Sequence, residues 1–158
     1  MEKRSIEELI ETAREAGLLG IDFLAKFDVA EIAREYNGIG PEWAGEKLRD
    51  AVTERCSLFE PAALIHDLRN AVSDGSEIKF HFANSEFYLN CRKLADRAYP
   101  WWSWRRYRAR LVASTFCDFV EGPGGWKAWL EAHERYISRQ GHINQTNLSP
   151  KRNDDGTA

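Results

Sequence analysis

Apolar residues recur at helical spacing along nearly the whole chain. Ser5-Ile-Glu-Glu8 has the pattern of a capping box, and Ile6, Leu9, Ile10 and Ala13 continue one face until Gly17 and Gly20. Asp28-Val-Ala-Glu31 repeats the box and opens a short helix through Val29, Ile32 and Tyr36. Asn37-Gly-Ile-Gly-Pro41 interrupts the pattern, and Pro41 suits a first helical position. Ala44, Leu48, Ala51 and Val52 mark the inner face of the helix that follows, with Cys56 near its end. Glu60-Pro61 starts another helix, predicted to reach about Val72 before the turn signal Ser73-Asp-Gly-Ser76. Ile78, Phe80 and Phe82 alternate briefly and allow a short extended segment. Phe80, Ala83, Asn84, Phe87, Tyr88, Cys91, Leu94 and Ala95 fit a helical stripe better. Pro100 ends that helix, Trp101 to about Glu121 forms the next, and Gly122-Pro-Gly-Gly125 closes it. A last short helix spans Trp126 to about Ile137, and from about Gly141 the composition predicts a disordered tail. There is no internal repeat.

The pattern predicts a mostly α-helical single domain over residues 1–140. It comprises an N-terminal extension (1–36), a core (37–98), C-terminal helices (99–140) and a tail (141–158). A chain of 158 residues with 43% hydrophobic and 12% aromatic content can build such a core. The net charge of -3 gives no global reason to expect nucleic-acid binding. Cys56, Cys91 and Cys117 are widely spaced and make neither a disulfide framework nor a CxxC metal site. The odd cysteine count, the polar N-terminus and the lack of a bilayer-length apolar stretch predict a soluble, intracellular (cytoplasmic) protein.

Within this pattern His66-Asp67 stands out, because Leu64, Ile65 and Leu68 surround it with apolar side chains. Polar groups at such positions cost free energy unless they are paired. Three pieces can form one site: the glycine-rich loop 37–41, the His66-Asp67 helix, and the helix presenting Asn84. Gly38 and Gly40 allow the loop to turn its carbonyl oxygens toward one point. Carbonyls plus the Asp67 carboxylate suit a hard cation such as Ca2+. His66 would then stand beside metal-bound water, with Asn84 fixing its ring.

At these residues the chain resembles the phospholipase A2 superfamily. It looks most like the small, cysteine-poor bacterial branch and its relatives in bacteriophage genomes. The corresponding stretches are Asn37-Gly-Ile-Gly40, Ile65-His-Asp-Leu-Arg-Asn70 and Ala83-Asn-Ser-Glu-Phe-Tyr88, in the family's order. The resemblance implies a phospholipase A2-like core of two antiparallel helices. It implies that His66 activates water, that Asn84 orients His66, and that Asp67 and carbonyls near Gly38 and Gly40 hold Ca2+. The substrate it implies is a membrane phospholipid. Two positions depart from the family pattern: Asn84 stands for an Asp, and Asn70 for a Tyr four residues after the His. In serine proteases the Asp-to-Asn change beside the catalytic His lowers turnover about 10⁴-fold. The resemblance therefore implies either a weakly active hydrolase or a non-enzymatic phage or accessory protein on the same scaffold. Ala62 and Ala63 occupy positions that are often Cys in secreted members, which agrees with a reducing compartment.

Pro100-Trp-Trp-Ser-Trp-Arg-Arg-Tyr-Arg-Ala-Arg110 combines three Trp, one Tyr and four Arg. It reads as an interfacial helix on lipid, as a nucleic-acid face, or as an ordinary amphipathic helix. The last reading is preferred, with Tyr107, Leu111 and Phe116 inward and Trp at the core edge. The acidic net charge disfavours nucleic acid, and a protein partner on the Trp101–Arg110 helix remains an alternative. His81, His133 and His142 lack metal-ligand spacing, and Cys117 is expected in the core.

Overall fold

The computed structural model describes residues 4–36, 38–39 and 56–147, with side chains described through residue 139. Among them are seven α-helices and no strand. These are α1 (Ile6–Glu15), α2 (Ile21–Leu24), α3 (Val29–Glu35), α4 (Glu60–Ala71), α5 (Glu77–Ala98), α6 (Trp104–Glu121) and α7 (Pro123–Asn147). A 3₁₀ turn, Ser57–Phe59, leads into α4. Both capping boxes form as the sequence predicts, Ser5 with Glu8 and Asp28 with Glu31. The helix predicted over about 41–56 falls almost wholly outside the described residues.

The helix α4 is the centre of the molecule. Its residues Glu60 to His66 and Leu68 are all buried, so it is enclosed on nearly every side. The helices α1, α2, α3, α5 and α7 all pack against it. Two of its polar groups survive burial because each is paired. Glu60 meets Arg4 at 3.3 Å, and Arg4 also donates to the Ser57 carbonyl. His66 is treated below.

A five-residue turn, 72–76, folds α5 back antiparallel to α4. Ser76 caps α5 by accepting from the Lys79 backbone N–H at 3.4 Å. The extended segment that Ile78, Phe80 and Phe82 allow is therefore absent, and α5 begins at Glu77. Helical period decides the burial: Phe80 and Ala83 pack on Trp129, while Ile78 and Phe82 are exposed. His133 of α7 donates Nδ1–H to the Ser73 carbonyl at 2.9 Å and so fastens the same turn.

Three further differences from the sequence expectation have local causes. The helix α6 starts at Trp104 rather than Trp101, because the Ser103 side chain caps it and Pro100–Ser103 forms a turn. The helix α7 starts at Pro123 and continues to Asn147, past Ile137 and past the predicted tail boundary at Gly141. Gly125 is needed for close packing, since a Cβ there would lie 1.8 Å from the Val120 carbonyl oxygen. Cys117, expected in the core, is half-buried, and Cys91 is the buried thiol.

The helix α6 is also rotated relative to the amphipathic reading. Ala109, Ala113, Phe116 and Val120 face the core, whereas Tyr107 and Leu111 face outward. Two arginines fix this rotation: Arg106 and Arg110 both bind Asp96 of α5, at 2.8 and 2.7 Å. Small residues at 109 and 113 then allow the two helices to approach.

Candidate active site

The turn between α4 and α5 brings His66 and Asn84 into register. His66 Nε2 lies 2.9 Å from Asn84 Oδ1. Asn84 is fully buried, and His66 is only 8% exposed. The Phe87 ring lies against the imidazole, with centroids 4.9 Å apart. Asn84 Nδ2 donates to the Val120 carbonyl at the end of α6, at 3.4 Å.

The Val120 contact decides the chemistry of the pair. With Nδ2 turned to a carbonyl, only Oδ1 can face His66, and Oδ1 is an acceptor. Nε2 must therefore carry the proton, which leaves the lone pair on Nδ1. Asn70 Nδ2 approaches Nδ1 at 3.4 Å, a long contact consistent with a donor meeting that lone pair. An Asn in place of the expected acid thus still selects a neutral imidazole with a basic Nδ1. Burial holds the His66 pKa below its ordinary value; the Asn84 hydrogen bond and the nearby Glu86 carboxylate partly oppose this.

Sequence reasoning missed Glu86. It is buried and binds Arg69 of α4 through two 3.0 Å hydrogen bonds. The Arg69 guanidinium also lies 3.8 Å above the Phe23 ring centroid, tying α2 to the pair. The available signal was Arg69 one turn after His66 and Glu86 two residues after Asn84, both beside an apolar stripe. Asn90 was missed for the same reason. It is fully buried and forms two hydrogen bonds with the Leu19 backbone, at 2.7 and 2.9 Å.

Asp67 follows His66 on α4 and is half-buried. Tyr36, at the C-terminal end of α3, lies within electrostatic reach of both Asp67 and Glu60. Burial together with these carboxylates pushes its phenol pKa far up. The chain therefore leaves α3 beside Asp67, and Gly38, two residues later, adopts φ 81°. That conformation favours glycine and can redirect the backbone carbonyls of the turn. Gly40 lies outside the described residues. Among the described residues no three His, Cys, Asp or Glu side chains form a metal-holding group. A cation here would be held by one carboxylate and backbone carbonyls, an oxygen donor set that suits Ca2+.

The other histidines take other roles. His133 is structural, as described above, and His81 is half-exposed between Glu77 and Glu121, 3.7 Å from each. No helix among the described residues is long and apolar enough to cross a membrane. Comparison with protein-family models, curated proteins and solved structures found no match to this chain.

Proposed function

We propose that this chain is a weakly active, calcium-dependent ester hydrolase of the phospholipase A2 type, acting on membrane phospholipid. The observation that carries the reading is the buried 2.9 Å contact between His66 Nε2 and Asn84 Oδ1, in the tautomer that frees Nδ1. In this reading a water displaces the Asn70 amide from Nδ1. His66 then takes a proton from that water as its oxygen attacks the ester carbonyl. Asn84 accepts from Nε2–H before and after proton transfer and keeps the ring fixed. It offers a dipole but no charge to the imidazolium, which accounts for weak activity. Asp67 and carbonyls near Gly38 and Gly40 would hold Ca2+, whose chemistry when bound is Lewis-acid stabilisation of the oxyanion.

Fatty-acid release from phospholipid vesicles tests this reading. Release is expected with Ca2+, and is expected to be lost with chelator, with His66→Ala and with Asp67→Ala. No release from the wild type in Ca2+ rejects it. A second reading, a non-enzymatic scaffold that binds a protein or membrane partner, is favoured by one observation. The ring is almost closed to solvent, and both its nitrogens already have partners.

A further inference from the structure

The outer face of α6 and the turn before it carry large apolar side chains that no other described element covers. Trp101 is 79% exposed, Trp102 72% and Trp104 68%, with Tyr107 and Leu111 also exposed. Trp104 stacks on Tyr107 with centroids 5.0 Å apart, and Trp101 meets Trp102 edge-on at 5.7 Å. These rings and the stems of Arg106 and Arg110 line a shallow cleft of about 430 Å³. Contiguous exposed apolar surface of this kind marks an interaction site.

Charge identifies the occupant. From Arg97 to Cys117 the chain has no acidic residue. Asp96 holds Arg106 and Arg110, and Glu15 holds Arg97. Arg105 and Arg108 are exposed beside the tryptophans. The local surface is thus cationic on a chain of net charge -3. A symmetric contact between two copies would place the same patch against itself and bring like guanidiniums together. Nucleic acid would need more phosphate-neutralising cations than these two. A lipid surface satisfies both features: indole rings sit at headgroup level, and arginines meet anionic headgroups.

We propose that Trp101, Trp102, Trp104 and Tyr107, with Arg105 and Arg108, form a docking face for an anionic phospholipid bilayer. The turn 100–103 and the first turns of α6 lie on the headgroup region rather than crossing it. The proposal rests on this surface alone and holds whether or not the chain hydrolyses lipid.

Co-sedimentation with vesicles of phosphatidylcholine, alone or mixed with phosphatidylglycerol, tests it. The wild type is expected to bind the mixed vesicles more tightly. The pair Arg105→Gln/Arg108→Gln is expected to weaken that binding about thirty-fold, from about 1 kcal/mol per basic side chain at an anionic surface. The triple variant Trp101→Ala/Trp102→Ala/Trp104→Ala is expected to lose binding to both vesicles while keeping the wild-type far-UV circular dichroism. Any one of four results overturns the proposal. These are no wild-type binding, equal binding to both vesicle types, unchanged binding by the triple variant, or a lipid-free dimer that the triple variant abolishes. Because the readout is binding, its failure is distinct from absent fatty-acid release.

Discussion

Asn84→Asp separates two consequences of one contact. Asn84 Nδ2 donates to the Val120 carbonyl, so an Asp would turn a carboxylate oxygen toward a carbonyl oxygen about where a 3.4 Å hydrogen bond now lies. Losing that bond and leaving the Val120 carbonyl facing an acceptor costs about 1–3 kcal/mol. For a domain of this size the expected fall in Tm is about 2–12 °C at pH 7.5. On the other side, a carboxylate 2.9 Å from His66 Nε2 attracts the imidazolium. At an effective dielectric near 20 the gross attraction is about 6 kcal/mol, offset by several kcal/mol for burying the carboxylate. The His66 pKa should therefore rise from its depressed position.

The sign of the pH dependence should reverse with it. In the wild type the native His66 resists protonation while the unfolded one does not. Its contribution to stability is present above about pH 6.5 and is lost as pH falls, at up to ~1.4 kcal/mol per pH unit. In Asn84→Asp the raised pKa makes the contribution present below about 6.5 and lost as pH rises through the native value. Urea unfolding between pH 5 and 8, with NMR titration of the His66 Hε1 resonance, reads both effects. The hydrolase reading adds that fatty-acid release per folded molecule should rise. An unchanged Tm together with an unshifted His66 titration would refute the hydrogen-bond assignment on which this reasoning stands.

Other outcomes follow from the same packing. Glu86→Ala should destabilise by about 3 kcal/mol, because it leaves the partly buried Arg69 unpaired; guanidinium denaturation measures it. Asn90→Ala should cost about 2–4 kcal/mol, since the Leu19 N–H and C=O both lose their partner, and hydrogen exchange at Leu19 should accelerate. Asp96→Ala frees Arg106 and Arg110; the pair network is partly exposed, so about 1 kcal/mol is expected, diminishing with salt in thermal melts. The two arginines hold the Asp96 carboxyl below its usual range, so this difference should fade as pH drops below about 4.

Most of the secondary structure was legible because it is local. Capping boxes, helical periodicity and the Ser73–Ser76 turn report on neighbours in the chain, and α1, α3, α4 and the body of α5 follow from them. The faces of α6 were not legible. Tyr107 and Leu111 look like core residues by hydrophobicity, but Asp96 on another helix captures Arg106 and Arg110 and turns the aromatic side outward. The two arginines could have been read as inward only with their partner in view. The α7 boundary failed similarly, because Gly125, which resembles part of a stop, is required by contact with Val120.

For the candidate site, the sequence alone determined the chemical inventory: a His-Asp pair in an apolar helix, a glycine turn, and a polar Asn on an apolar stripe. The resemblance to the phospholipase A2 superfamily, and not the periodicity, supplied the expectation that the helices carrying His66 and Asn84 lie side by side. Only the tertiary structure decided that their side chains meet at 2.9 Å, and that Asn84 presents its oxygen rather than its amide. The deciding group, the Val120 carbonyl, is a backbone atom 36 residues away. Every residue has such an acceptor, so no side-chain pattern could have marked it.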